Sequence, residues 1–316
     1  MKEHGKKNKK KRALIELIIT ISVLLIFVLF HQIMLKVEEP LRAPLGQLVE
    51  VDGHKMSVYT EGTGDKTLVF LSGSDTPSPI LDFKSLFSLL SDEYRIVVVE
   101  RFGYGFSDIV DKPRDIDTVL SETRAALAAA DIDGPYVLCP HSMSGLEALY
   151  WVQQYPEEVE AIVGLDMAVP DAYENFKNNV FMNVVSQLNA KTGIIRLLPL
   201  LNELDCVKHG TLTEEEKKIA HTLLYKNFSN KTTINELKYV SENATIVGAG
   251  EIPQVPMLLF ISNDTSTTEL TDATQRYANT VENAKVIQLD CPHYVHDYEY
   301  NRISKEIKAF LQERAD

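Results

Sequence analysis

Short apolar runs alternate with amphipathic stretches along most of the chain. Six short, mostly apolar runs predict strands: residues 67–71, 94–99, 136–139, 160–165, 256–261 and 284–289. The runs at 67–71 and 94–99 are typical of strands buried on both faces. Stretches with helical spacing lie between or after them: residues 79–90, 114–130, 145–155, 269–281 and 301–313. This alternation predicts βαβ units, and therefore an α/β fold with a mostly parallel sheet covered by helices on both faces.

Two regions depart from the alternation. Residues 47–61 form two alternating segments around Asp52-Gly53, a pair that favours a tight hairpin turn. Residues 170–250 contain no convincing strand but several helical patterns, such as 214–226. About 80 residues of helix between two strands predict an insertion above the sheet.

The N-terminus predicts a membrane anchor. Residues 1–12 carry seven basic side chains against Glu3, and residues 13–35 are strongly apolar, enough to span a bilayer. Lysines before such a helix favour a cytoplasmic N-terminus with the rest of the chain outside. A cleaved signal peptide is the alternative, but no small-residue cleavage pattern follows the apolar run. Residues 36–45, with Pro40 and Pro44, predict a short linker before a body at 46–316.

The charge of the chain argues against a nucleic-acid-binding protein, and its cysteine spacing argues against a metal site. The net charge is −13, of which residues 1–12 contribute +6, so the remainder carries −19. An acidic body argues against a nucleic-acid partner, because phosphate binding needs a basic face. The three cysteines, Cys139, Cys206 and Cys291, form no C-x-x-C pair. We expect them to be reduced, and expect neither a metal nor an organic cofactor.

The segment YVLCPHSMSGLEALYW, residues 136–151, carries the candidate nucleophile. An apolar strand runs into Ser142 and a helix begins just after it, which is the context of a nucleophile elbow. The match to G-x-S-x-G is imperfect, because Pro140 and Ser144 stand at the glycine positions. A plain strand-to-helix turn with Ser142 as N-cap is the structural alternative.

These motifs resemble the α/β-hydrolase-fold family of serine hydrolases, in the form of a membrane-anchored bacterial-type member. PHSMSG is similar to the family's GHSMGG, and four further segments match in order: FLSGS (70–74), ERFGYGFSD (100–108), VGLDMAVP (163–170) and DCPHYVHDY (290–298). The resemblance implies an α/β-hydrolase fold with a helical lid at about 171–250. It specifies the fold well and the substrate poorly.

The resemblance also implies a base and an acid for Ser142. His293 lies in the loop after the last strand, where the family has its catalytic histidine, and His296 is a weaker candidate. Asp264, the only carboxylate in the loop after residues 256–261, is the expected acid. Asp166, after the preceding sheet strand, is the alternative, because some members carry the acid there.

Stabilising the oxyanion requires two backbone donors. One is expected to be the N–H of Met143, directly after the nucleophile. The resemblance implies the second at Ser74, following Ser72 and Gly73, where the family has His-Gly. The motif at residues 100–108 looks functional by its resemblance to the family, but we interpret it as a structural glycine turn in which Arg101 ties loops together.

The sequence therefore favours a serine hydrolase that cleaves an ester-type acyl bond of a small or lipid-like substrate at a membrane. An aminopeptidase of the prolyl-aminopeptidase kind is the first alternative, and would need lid acids such as Glu203 and Asp205 to bind a free amine. A catalytically inactive binding module is the second alternative. A haloalkane dehalogenase is disfavoured because its nucleophile would be aspartate, and the oligomeric state stays open.

Overall fold

The computed structural model describes residues 2–197 and 203–314. Met1, residues 198–202 and residues 315–316 lie outside the described part of the chain. The predicted tail (1–12), lid (171–250) and body (46–316) each therefore include a few residues about which the structure says nothing.

Eight strands form one sheet in the order β1-β2-β4-β3-β5-β6-β7-β8. The first two form an antiparallel hairpin, β2 also pairs antiparallel with β4, and the remaining neighbours are parallel. The strands are β1 (Gln47–Val51), β2 (His54–Glu61), β3 (Thr67–Leu71), β4 (Arg95–Glu100), β5 (Tyr136–Pro140), β6 (Val159–Leu165), β7 (Met257–Ile261) and β8 (Ala284–Gln288).

Helices connect the parallel strands and cover both faces of the sheet. The helices in the described part of the chain are α1 (Lys2–Val37), α2 (Pro79–Phe87), α3 (Ile116–Ala129), α4 (Ser144–Gln154), α5 (Val180–Thr192), α6 (Asp205–Lys208), α7 (Glu214–Asn227), α8 (Lys231–Ala249), α9 (Thr268–Ala278), α10 (Val295–Tyr298) and α11 (Tyr300–Gln312). Between β6 and β7, α5 to α8 form the predicted helical insertion.

The strand predictions are confirmed because continuous apolar runs do lie in the middle of the sheet. All residues of β3, β5 and β7 are buried, as expected where helices cover both faces. The hairpin is confirmed as well, with Asp52 and Gly53 both at positive φ in its turn.

The predicted linker at residues 36–45 needs a correction. Helix α1 continues to Val37, and a 3₁₀ turn follows over Glu39–Arg42, with Pro40 in its first turn. Proline is tolerated there because the first residues of a helix have no intrahelical N–H bond to lose. Within α1, the segment Lys10–Val37 contains an 18-residue stretch with a mean hydropathy of 2.9, and the segment is long and apolar enough to cross a membrane.

The core consists of two apolar layers, one on each face of the sheet. On one face, the Phe70 ring of β3 contacts Phe83 and Phe87 of α2, with ring centroids 5.2 and 6.4 Å apart. On the other face, Trp151 of α4 packs against Tyr136 of β5 at 5.5 Å. These contacts fix α2 and α4 against the sheet, and α4 is the helix that follows Ser142.

Replacing Phe70 tests this arrangement of the core. Because Phe70 is fully buried, Phe70→Ala should lower the free energy of unfolding by about 3–5 kcal/mol. Leu89, exposed in the turn between α2 and β4, provides the control, and Leu89→Ala should change the free energy of unfolding by less than about 0.5 kcal/mol. Urea unfolding followed by the fluorescence of Trp151, the single tryptophan, measures both. Equal shifts in the two variants would contradict the assignment of this layer.

Candidate active site

Parallel strands bring the candidate residues to one edge of the sheet. Ser74 follows β3, Ser142 follows β5, Asp166 follows β6, Asp264 follows β7 and His293 follows β8. Because these five strands run in the same direction, all five residues lie at the carboxyl edge, where sites form in this class of sheet.

Ser142 lies on a strained turn between β5 and α4. His141 makes a single parallel bridge to Leu165, and Ser142 then adopts φ +51°, a left-handed conformation that is uncommon for residues other than glycine. The carbonyl oxygen of Ser142 accepts from the N–H groups of Gly145 (2.9 Å) and Ala168 (2.8 Å). These two bonds hold the strained residue in place, as expected of a nucleophile elbow.

Close backbone approach explains the small residues around this turn. A Cβ on Gly145 would lie 2.1 Å from the carbonyl oxygen of Ala168, and one on Gly73 would lie 2.8 Å from Cβ of Ser142. Ser144 is tolerated because its buried hydroxyl lies 2.7 Å from the carbonyl oxygen of Leu71. The departure from G-x-S-x-G at Ser144 is therefore compatible with the elbow.

The imidazole of His293 pairs with Asp166. Nδ1 of His293 lies 2.6 Å from Oδ2 of Asp166, whose side chain is fully buried. The other carboxylate oxygen, Oδ1, accepts from the backbone N–H of Ser262 at 2.9 Å. Asp166 also has a positive φ of +48° directly after β6. Both oxygens of this buried acid are thus engaged, one of them by the candidate base.

Asp264, the expected acid, does not reach the His293 imidazole. Its Oδ1 accepts from the N–H and hydroxyl of Ser266, and its Oδ2 accepts from the backbone N–H of His293 at 3.3 Å. The hydrogen bonds from Ser266 lower the pKa of the Asp264 carboxyl. Asp264 caps the 3₁₀ turn Thr265–Thr267, so its carboxylate is committed to local backbone groups, and the alternative acid, Asp166, occupies the position on the imidazole.

His141 links the serine turn to the histidine loop. Its ring centroid lies 4.7 Å from that of His293, and its Nε2 lies 3.3 Å from the carbonyl oxygen of His293. Burial lowers the pKa of His141 well below its usual value, and the neighbouring His293 and His296 add to the effect. A neutral His141 therefore packs Ser142's turn against the loop that carries the candidate base.

His296 is occupied elsewhere in the described structure. Its Nε2 lies 2.8 Å from Oδ2 of Asp82 in a fully buried pair. Asp82, His141 and His296 bring ligand-type atoms within 4.8 Å of one another, but the Asp82–His296 pair already uses two of them. His296 thus has a packing role against His141, with their ring centroids 4.7 Å apart.

The two expected oxyanion donors lie beside the candidate nucleophile. Met143 directly follows Ser142 and precedes the first residue of α4, while Gly73 brings the loop of Ser74 against Ser142. Neither backbone N–H donates a hydrogen bond to another group in the described part of the chain. Both are therefore free to donate to a substrate oxygen.

A buried charge network beneath the site was only partly visible in the sequence. Arg101 donates to Glu147 of α4 (2.8 Å) and to the carbonyl oxygen of Ser72 (2.9 Å), which confirms its predicted role in tying loops together. Its Nε also lies 3.8 Å from Glu236 of α8, which accepts from the Tyr104 hydroxyl. Burial, followed by Glu236, raises the pKa of Tyr104 well above its usual value.

Glu147 and Glu236 were missed in the sequence. The one available signal is that Glu147 interrupts the otherwise apolar stretch LEALYW just after the nucleophile, which indicates a paired buried charge. Glu236 lies on an amphipathic helix among other polar residues and has no comparable signal.

Comparisons with known proteins identify the family to which this fold belongs. The family model for the alpha/beta hydrolase fold matches residues 70–300. The uncharacterised protein YbdG of Bacillus subtilis (strain 168) is 37% identical over 241 residues, covering 74% of this chain and 72% of YbdG.

Solved structures of enzymes share the architecture at lower identity. Bacillus megaterium epoxide hydrolase in complex with an inhibitor superposes with a TM-score of 0.65 at 17% identity, covering 84% of this chain and 100% of its own. The enol-lactonase from Burkholderia xenovorans LB400 has a TM-score of 0.59 at 16% identity, with the same coverage of both chains. Taken with the family match over most of the body, the eight-stranded sheet and its helical insertion show that this chain belongs to the α/β-hydrolase-fold family.

Proposed function

We propose that this protein is a serine hydrolase that cleaves ester-type acyl bonds, with Ser142 as nucleophile, His293 as base and Asp166 as the orienting acid. The contact of 2.6 Å between His293 Nδ1 and Asp166 Oδ2 carries the proposal. Because Asp166 holds Nδ1, Nε2 is the nitrogen of His293 that remains to act as the base for Ser142. Asp166 replaces Asp264 in this assignment because only Asp166 lies on the imidazole.

The proposed reaction is acyl transfer to water. Oγ of Ser142 attacks the substrate carbonyl carbon while Nε2 of His293 takes the hydroxyl proton, and Asp166 stabilises the imidazolium that forms. The N–H groups of Met143 and Ser74 hold the oxyanion. His293 returns the proton to the leaving alcohol, and water then attacks the acyl-enzyme by the same steps, which releases the acid and regenerates Ser142.

The lid acids favour an ester hydrolase over an aminopeptidase. Glu203 pairs with Lys208 on the exposed surface at 3.2 Å, and Asp205 accepts from the Tyr298 hydroxyl at 2.8 Å. Neither is available to bind a substrate amine in this arrangement. Glu236 lies 3.8 Å from both Arg101 and Arg114 and accepts from the Tyr104 hydroxyl, so it is engaged by groups of its own chain.

An inactive binding module is the weaker alternative. Such a module has no need of a strained serine at φ +51° or of a buried carboxylate on the opposing histidine. Strained backbone of this kind is retained where it serves a site.

The proposed location is a membrane, with the hydrolase body outside the cytoplasm. The segment Lys10–Val37 supplies the span, and the basic residues before it favour a cytoplasmic N-terminus. Glu16 pairs with Arg12 at 3.0 Å one turn away. A carboxylate near the end of a span is tolerated when it pairs and extends toward water.

The nucleophile is tested with a fluorophosphonate probe. The wild type should be labelled covalently, and Ser142→Ala should lose all labelling because no hydroxyl is left to phosphonylate. Ser241→Ala, an exposed serine on α8, serves as control and should label like the wild type. Labelling that persists in Ser142→Ala would remove Ser142 from the proposal.

The two aspartates make a matched pair of variants. Asp166→Asn keeps size but loses the charge that orients and stabilises His293, so kcat for a p-nitrophenyl ester should fall by roughly two to four orders of magnitude. Asp264→Asn should lower kcat by less than about tenfold, since its carboxylate contacts only backbone and Ser266. Steady-state kinetics, with folding checked by circular dichroism, measures both. The reverse ranking would restore Asp264 as the acid.

The topology is tested by adding protease to intact cells. The body should be digested while residues 1–12 stay protected by the membrane, as shown by mass spectrometry of the peptides that remain. Release of a soluble body beginning near residue 36 before any protease is added would instead indicate a cleaved signal sequence.

A further inference from the structure

The lid helix α5 presents an apolar face to the outside of the protein. Val180, Phe181, Val184 and Leu188 are 68%, 73%, 48% and 56% exposed. At about 100° per residue these four positions fall on one side of the helix. Apart from α1, no other helix in the described part of the chain exposes large apolar side chains to this extent.

The other side of α5 carries most of its polar residues and is partly covered. Asn183, Ser186, Gln187 and Ala190 are half-buried there, while Met182 is 51% exposed. A lid helix surrounded by water would show the reverse pattern, with its apolar side packed and its polar side exposed. The orientation of α5 therefore indicates an apolar medium on its outer side.

The charge of this segment is also unlike that of the body. No Asp or Glu lies between Glu174 and Glu203, whereas Lys177, Lys191 and Arg196 do. The chain beyond residue 12 nonetheless carries −19 overall. An apolar face accompanied by basic residues and no acids is typical of helices that lie in a membrane interface.

Arg196, just beyond α5, fixes this part of the lid to the end of α1. Its guanidinium donates to both carboxylate oxygens of Glu38, at 2.6 and 2.7 Å, and to Nδ1 of His31 at 3.0 Å. The same group lies 3.9 Å from the centre of the Tyr225 ring of α7. A bidentate pair of this kind sets orientation as well as contact.

Gly193 makes the close contact with α1 possible. It ends α5 at φ +75°, and a Cβ there would lie 2.4 Å from Cβ of His31. Helix α5 therefore lies directly beside the last turns of the predicted span, at the level where that span would leave the bilayer.

We propose that α5 lies in the outer membrane interface, with Val180, Phe181, Val184 and Leu188 in the acyl-chain boundary, and that the substrate is an acyl lipid of that same membrane. This inference rests on the proposed function and deepens it, because it names the source of the acyl group. The lid then opens toward lipid, not toward bulk water.

A cavity on the inner side of α5 fits this substrate class. It has a volume of about 320 Å³ and lies between the end of α1 and the lid, lined by His31, Leu35, Gln187, Tyr225, Phe228 and Ser229, among others. The backbone N–H of Ser229 donates to Asp75 at 3.3 Å, next to the proposed oxyanion donor Ser74. One wall residue of the cavity, Ser229, is therefore bonded to the residue that follows Ser74.

Site-specific fluorescence tests the location of α5 in the full chain. Phe181→Cys and, separately, Leu188→Cys are labelled with a nitrobenzoxadiazole maleimide under native conditions, in which the buried Cys139, Cys206 and Cys291 are protected. Leu89→Cys is the matched control, because Leu89 is exposed outside the lid, in the turn between α2 and β4. Each protein is reconstituted in phosphatidylcholine–phosphatidylglycerol vesicles, with or without a nitroxide on the lipid acyl chain.

The labels on α5 should emit at shorter wavelength and be quenched by the lipid nitroxide at least about twofold more than the label at residue 89. If the lipid nitroxide quenches the label at neither position 181 nor position 188, the proposal is overturned. Shielding from aqueous iodide without quenching by lipid overturns it as well, because a protein would then cover the face. The Ser142→Ala form should give the same fluorescence, so failure of the proposed chemistry and failure of this inference are distinguishable.

The substrate class is tested with Phe181→Asp, against Leu89→Asp as control. Phe181→Asp should lower hydrolysis of diacylglycerol in vesicles by about tenfold, since a charge opposes insertion of α5. Hydrolysis of soluble p-nitrophenyl butyrate should stay within about twofold of the wild type. An equal loss on both substrates, or none on the vesicles, would overturn the assignment of a membrane lipid.

Discussion

The pairing of His293 with the buried carboxylate of Asp166 joins three neighbouring strand ends of the sheet. Asp166 follows β6, its other oxygen is held by Ser262 after β7, and His293 follows β8. A carboxylate with no exposed surface is stable only when its oxygens are engaged, and removing one partner of such a group typically costs several kcal/mol. The position of the imidazole therefore depends on the packing of all three strands.

The lid is held to the rest of the molecule by two separate sets of buried charges. Beneath the site, Glu236 of α8 lies with Arg101, which also binds Glu147 and the carbonyl oxygen of Ser72. At its other end, Arg196 binds Glu38 beyond α1. The first set couples the lid to the helix after Ser142, and the second couples it to the N-terminal helix, so movement of the lid would disturb both.

Most of the fold could be predicted from the sequence because the central strands are buried on both faces. Such strands need continuous apolar runs, and residues 67–71 and 136–139 show them clearly. The elbow could be predicted too, since a strand, a serine and a helix follow one another locally. The glycine positions of the elbow were predicted less well. The tightest backbone approach near the nucleophile is at Gly145, one residue beyond the glycine position of G-x-S-x-G.

The sequence by itself determined the order of strands and helices, the turn at Ser142 and the apolar N-terminal segment, because each depends on residues close together in the chain. Only the tertiary structure decided which aspartate meets His293, since both follow neighbouring parallel strands, and Asp166 is buried directly after β6 while Asp264 caps a turn three residues after β7. It also decided which face of α5 is outward. The pairing of His293 and the orientation of α5 depend on packing between segments more than 100 residues apart. Such packing produces no local sequence pattern from which it could be predicted.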